Sequence, residues 1–175
     1  TLLTTVTASS SSTLSFASSI NSTYNSYMFK FINIHPSEAS RPQFNLSADS
    51  GSNYNVTKTT THWRAIHGEG GSPATVNYNA GDDIAQGTGF QNLYGGSGGD
   101  NDQCICGEFH LFNPSDTTFV KHFLGESNAY MINQDHTNHS LFSGYGNTTS
   151  AVDAVQFKMS SGNIDAGTIQ LFGVS

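Results

Sequence analysis

The stretch 154–174, AVQFKMSSGNIDAGTIQLFGV, decides the fold class. Val155, Phe157 and Met159 alternate with Ala154, Gln156 and Lys158, and further on Ile169 and Leu171 alternate with Thr168 and Gln170. A period of two puts every second side chain on one face, so each run reads as a β-strand with one buried side. Between the runs, Ser161-Gly162-Asn163 supplies residues suited to a turn. Outward from there the pattern repeats over residues 2–8, 13–17, 27–35, 43–48, 56–67, 75–79, 104–112, 118–124, 129–133 and 140–144. Turn chemistry separates the runs, as in His35-Pro36-Ser37, Asp49-Ser50-Gly51 and Asn113-Pro114-Ser115-Asp116. Many short strands joined by such turns predict an all-β fold, an antiparallel β-sandwich or jelly roll with one long Gly-rich loop.

Composition supports this. The chain has 175 residues, of which only 11% are charged, against about 25% in an average soluble domain. Ser, Thr, Asn and Gly take the place of the surface helix formers, which disfavours long helices, while aromatic and β-branched residues spread along the whole chain exclude disorder. The length fits one sandwich domain over 1–175. A net charge of −7 with only 6 unclustered Lys and Arg excludes a protein held on nucleic acid by phosphate contacts. No run approaches the roughly 20 apolar residues of a helical membrane span, so no membrane insertion is expected. The first residues lack the basic and apolar regions of a signal peptide, and the missing initiator Met reads as processing or as a piece of a longer chain. Residues 1–12 read as a linker-like start, with the serine run 9–12 an exposed turn. Asn-x-Ser/Thr triplets at Asn21, Asn45, Asn55, Asn138 and Asn147 are what chance gives in so Asn- and Ser-rich a chain.

Within 104–112, Ile105, Gly107, Phe109 and Leu111 form the better core face. The run Tyr27-Met28-Phe29-Lys30-Phe31-Ile32-Asn33-Ile34 is apolar on both faces and suits a central strand covered by core on one side and by a loop or a neighbouring subunit on the other. The least regular stretch is 79–103, with Gly81, Gly87, Gly89, Gly95, Gly96, Gly98 and Gly99. It reads as a long surface loop with a helical turn at 82–86, pinned by Phe90, Leu93 and Tyr94, and such loops commonly carry function.

Few residues point to chemistry. The glycines match no phosphate-binding pattern. Cys104, Cys106, Glu108 and His110 share one strand face, and Cys104, Cys106 and His110 are the zinc candidates. Same-face residues on a strand lie roughly 6.5–7 Å apart, so one strand cannot close a tetrahedron. His122 on the next strand, in a Glu108–His122 register, is one way to complete it. The expectation is a polar face with no bound metal. The two cysteines make no disulfide scaffold and fit folding in a reducing cytoplasm. Asp82, Asp83, Asp100 and Asp102 show no calcium-loop spacing. No acid-x-acid pair marks a glycosidase cleft, no GxSxG elbow occurs, and the seven His are scattered. No catalytic residue, cofactor or enzymatic activity is expected. Sugar binding competes better, by an aromatic platform beside hydrogen-bonding groups. Trp63, in His62-Trp63-Arg64, reads as a core residue. Tyr94 with Asp100, Asn101 and Asp102 forms the glycan candidate, flanking a glycine-rich tip 95–99 that belongs to no core strand.

Several runs resemble structural proteins of marine bacteriophage virions, of the tail-fibre-like or decoration type. They are Tyr27 to Pro36, Ala85-Gln86-Gly87-Thr88-Gly89-Phe90-Gln91, Leu111-Phe112-Asn113-Pro114-Ser115, Val120-Lys121-His122-Phe123, and Ala154 to Ile164. The resemblance covers most of the chain and carries no catalytic motif. It implies a virion surface protein, made in the host cytoplasm and working outside it, as a tail-fibre domain (including the C-terminal domain of a longer fibre) or a capsid fibre or decoration domain. It implies a homotrimer in contact with other virion proteins. A lectin-like module that binds a host-surface glycan is the alternative. Cys104-x-Cys106 and the Gly-rich loop, apart from its run Ala85 to Gln91, lie outside the resemblance.

Overall fold

The computed structural model describes residues 1–93, 96–131 and 135–175. Among them are twelve strands and no helix: β1 (Leu2–Thr7), β2 (Leu14–Phe16), β3 (Ser26–Pro36), β4 (Pro42–Ser47), β5 (Lys58–Gly68), β6 (Ala74–Tyr78), β7 (Gln91–Asn92), β8 (Ile105–Phe112), β9 (Lys121–Tyr130), β10 (His136–Gly146), β11 (Ala154–Met159) and β12 (Ile164–Val174). They form an eight-stranded sheet, β1-β12-β3-β8-β9-β10-β5-β6, and a four-stranded sheet, β2-β11-β4-β7. Strand pairs in both are antiparallel, and the two sheets make a β-sandwich.

The alternation read from the sequence is what packs the core. Val155, Phe157 and Met159 of the small sheet and Phe29, Phe109, Leu111, Ile169 and Leu171 of the large one are buried against each other. Phenylalanines join the layers: Phe109 lies 4.5 Å from Phe44 between ring centroids, and Phe157 lies 5.2 Å from Phe29 at an edge-to-face angle of 63°. Such ring pairs add about 0.5–1.5 kcal/mol each beyond the area they bury.

Several expectations are corrected. Residues 1–12 are no linker: β1 is the edge strand against β12, and Ser11 bridges Ile164. Residues 121–124 and 129–130 of the two expected runs 118–124 and 129–133 belong to one strand, β9, while 118–120 precede it and residues 132–134 lie outside the description. Within that strand Gly125 is a close approach, since a Cβ there would stand 2.3 Å from the Phe142 ring and 2.7 Å from the Glu108 carbonyl. β3 buries one face only, through Tyr27, Phe29, Phe31 and Ile34, while Lys30 is exposed and Met28 and Ile32 are half-buried.

The largest correction concerns 79–103. No helical turn forms at 82–86, and the described part of the segment is tied along the sandwich. Lys58 and Thr60 donate their main-chain N–H groups to Gly87 O (2.9 Å) and Ile84 O (2.8 Å), β7 pairs with β4, and Ser97 exchanges main-chain bonds with Ser40. Leu93 and Ser97 are buried. The segment covers the part of the large sheet that faces inward as Lys58, Thr60, His62, Asn138 and Ser140, all buried and polar. Its own polar groups bond part of that layer and its neighbour Ser127: Thr60 Oγ1 donates to Gln91 Oε1 at 2.6 Å, Ser127 Oγ to Leu93 O at 3.0 Å, and Lys58 Nζ to Gly89 O at 2.7 Å.

Candidate functional site

The outer face of the eight-stranded sheet carries one row of directly opposed residues. Tyr78 on β6 pairs with Trp63 on β5, Trp63 with Leu141 on β10, Leu141 with Glu126 on β9, Glu126 with Glu108 on β8, and Glu108 with Lys30 on β3. Trp63 is 42% and Tyr78 61% exposed. The core role expected for Trp63 is therefore corrected. Alternation allowed either His62 or Trp63 inward, and at this end of the sandwich the inner layer is polar, so His62 goes in and the indole goes out. Beside the aromatic pair is a depression of about 370 Å³ whose lining includes Trp63, Leu124, Leu141, Glu108 and Glu126.

The carboxylates at its far side are opposed across adjacent strands, an arrangement that destabilises a sheet. Each has a histidine: His110 Nε2 lies 3.0 Å from Glu108 Oε1, and His139 Nε2 lies 3.3 Å from Glu126 Oε2. Nearer the edge, the Tyr78 hydroxyl donates to Asp83 Oδ2, and that bond holds the phenol above its ordinary range. An exposed apolar platform followed by acceptors and imidazoles can stack on a sugar's apolar face and bond its hydroxyls. The register carries this site. No acid-x-acid spacing exists within a strand, and the Glu pair arises only when β8 and β9 align.

The other candidates are placed differently. Tyr94 and Gly95 lie outside the described residues. Asp100, Asn101 and Asp102 form an exposed turn in which Asp100 O accepts from Gln103 N (2.9 Å) and faces His35 Nε2 (3.1 Å). The supposed free tip is corrected over 96–99: Ser97 is fully buried, and a Cβ on Gly99 would meet the Glu38 backbone at 2.9 Å. Glu108 faces Glu126 and not His122, whose ring lies against Tyr145 at 6.1 Å. Cys104 and Cys106 are both free thiols. His110 pairs with Glu108, and among the described residues no group of three His, Cys, Asp or Glu is placed to hold a metal ion.

Beneath the Trp63 platform, Asp82 is buried in the covering segment, bonded by Arg41 Nη1 (2.5 Å), Asn92 Nδ2 (2.7 Å) and Asn79 Nδ2. His62 lies close enough to feel its charge, yet neither ring nitrogen has a hydrogen-bond partner. Burial, ahead of every charge nearby, pulls the imidazole below its ordinary range.

No protein-family model matches the chain, and no curated protein matches it. Among solved structures, a structural-genomics protein of unknown function from Bacteroides ovatus is similar over 58% of this chain and 44% of its own, at 4% identity and a TM-score of 0.32. A likeness at that level carries no argument about function.

Proposed function

We propose that the chain is a non-catalytic glycan-binding module whose sugar site is the outer face of β6, β5, β10, β9 and β8. The observation that carries this reading is the pairing of Trp63 and Tyr78, two large aromatics exposed on adjacent strands, with Trp63 at the rim of a depression that also contains Glu108 and Glu126. A buried role would have hidden the indole, and exposure without a ligand costs solvation. Glycan-array binding followed by calorimetry on the best oligosaccharide tests it. Trp63→Ala with Tyr78→Ala should abolish binding while leaving the melting temperature within about 2 °C, since exposed residues contribute little to stability. Retained binding in that variant overturns the assignment of the site.

A second reading, the virion surface subunit that the sequence resemblance implies, is favoured by a different surface. Phe112 and Phe119 are 39% and 68% exposed and line a depression of about 500 Å³ with Val120 and His122. An exposed aromatic patch of this kind suits a contact between subunits, and a tail-fibre or decoration protein closing as a homotrimer would bury it. Light scattering tests this reading: a stable trimer that falls apart with Phe119→Ser supports it, and a mass near 19 kDa at micromolar concentration opposes it. The two readings are compatible, since a receptor-binding module on a particle needs both a sugar face and a subunit contact.

A further inference from the structure

Asn33 lies where the β3–β8 register shifts between Phe31 and Ile34, and its φ is +51°. Asparagine enters this left-handed region more readily than other non-glycine residues. The bulge turns the residue onto two sulfurs. Its main-chain N–H donates to Cys106 Sγ at 3.3 Å, and its Oδ1 accepts from the Cys106 thiol at 3.4 Å and from the Cys104 thiol at 3.9 Å. Both thiols thus converge on the one amide oxygen of Asn33. β12 holds the bulge from the other side, where Gly167, at φ +105°, passes so close to Asn33 O that a Cβ would stand 2.4 Å away. Cys106 is exposed, Cys104 is half-buried, and the Cys106 side opens on a depression of about 390 Å³ shared with Lys30, Ile32 and Glu108.

We propose that Cys104 and Cys106 form a two-coordinate site for the soft monovalent ion Cu(I). Two convergent sulfurs select a soft ion. Their number selects against zinc, which takes four ligands in a structural site: among the described residues no third donor completes a cluster, and His110 is engaged by Glu108. Cu(I) is satisfied by two sulfurs on opposite sides. On binding, each thiol releases its proton to the buffer and each sulfur donates an electron pair to the metal. Copper stays Cu(I) throughout, so no oxidant or reductant is needed. The Asn33 N–H remains on the Cys106 sulfur, and its bond strengthens once that sulfur is a thiolate. The Asn33 amide loses two thiol donors and rotates to present its Nδ2 group.

The test is an anaerobic titration of the reduced chain with Cu(I) against bathocuproine disulfonate, with thiolate-to-copper charge transfer followed in the ultraviolet and coordination number read by X-ray absorption. One copper per chain with two sulfur ligands is expected. Cys104→Ser and Cys106→Ser should each weaken binding by more than about 100-fold, beyond the 10–100-fold that loss of an outer contact brings. Serine at 106 keeps an acceptor for the Asn33 N–H, and Cys104→Ala changes a residue just outside β8, so one of the variants remains folded for measurement. Failure to retain copper, undiminished affinity in the cysteine variants, a third protein ligand, one copper shared by two chains, or tighter retention of zinc than of Cu(I) each overturns the proposal.

Discussion

The ammonium of Lys58, fully buried, donates to the carbonyls of Gly89 at 2.7 Å and Val56 at 3.1 Å, tying β5 to the glycine-rich segment that covers it. Burial alone pulls this amine from 10.5 down to about 8. Between those values the unfolded chain holds the proton and the folded chain does not, so unfolding free energy rises with pH across the interval. At full titration the gap corresponds to about 3 kcal/mol as an upper figure. Lys121, buried and bonded to Phe119 O and Thr148 O, shifts the same way. Tyr130 acts oppositely: its bond to Asp135 raises it to about 12, so its contribution is present below pH 10 and is lost above. Urea unfolding should therefore show greater stability at pH 9.5 than at pH 7.5, with the rise reduced in Lys58→Met. A flat profile in the parent protein would contradict the buried ammonium.

At acid pH the controlling group is His62. Its depressed imidazole stays neutral in the folded chain while the unfolded chain takes a proton near pH 6.5. Stability is therefore full above that pH and falls as pH drops through it toward the folded value. His62→Leu removes the titration and two unpartnered buried nitrogens. Its melting temperature should change less than the parent's between pH 7.5 and 5.0 in thermal scans. Equal acid loss in the two proteins would move the effect elsewhere.

Gly99 and Gly89 lie in the same covering segment and should answer oppositely to alanine. A Cβ on Gly99 meets the backbone of Glu38 at 2.9, 3.2 and 3.2 Å, whereas one on Gly89 meets nothing within 4 Å. Backbone cannot move aside as a side chain can, so Gly99→Ala should cost about 1–3 kcal/mol in denaturant unfolding. Gly89→Ala should fall within about 0.5 kcal/mol of the parent. Near-neutral unfolding of Gly99→Ala would restore the picture of a free tip.

These contrasts show what the sequence makes legible. Wherever apolar and polar residues alternate, as in 105–111 or 154–159, the pattern names the strand and its buried face. It fails where the interior is polar. In β5 the inward residues are Lys58, Thr60 and His62, so hydrophobicity alone puts Trp63 on the wrong side. It fails again for 79–103, whose polar side chains read as solvated until the buried layer they bond to is in view. The Glu108–Glu126 opposition and the Tyr78–Trp63–Leu141 row depend on the register between paired strands, which no spacing within one strand encodes. The thiol pair was visible as a spacing, but the bulge that turns Asn33 onto it was not.

Glu126 separates stability from binding. It is directly opposed to Glu108 on the outer face, and the two side chains are 50% and 41% exposed. Like charges so placed repel, within the roughly 0.2–1 kcal/mol scale of cross-strand pairs, and solvent screening at this exposure reduces the effect to a few tenths. Histidines beside both carboxylates offset part of it. Glu126→Gln removes the repulsion, keeps the side-chain shape and leaves an acceptor for His139. The variant should be as stable as the parent or slightly more so in urea unfolding. If the outer face binds sugar, the same change should weaken binding, because a neutral amide accepts a sugar hydroxyl less strongly than a carboxylate does. Stability held or raised together with affinity lowered marks a surface kept for a ligand. Lower stability with unchanged affinity marks a pair kept for the fold, and would remove Glu126 from the sugar site.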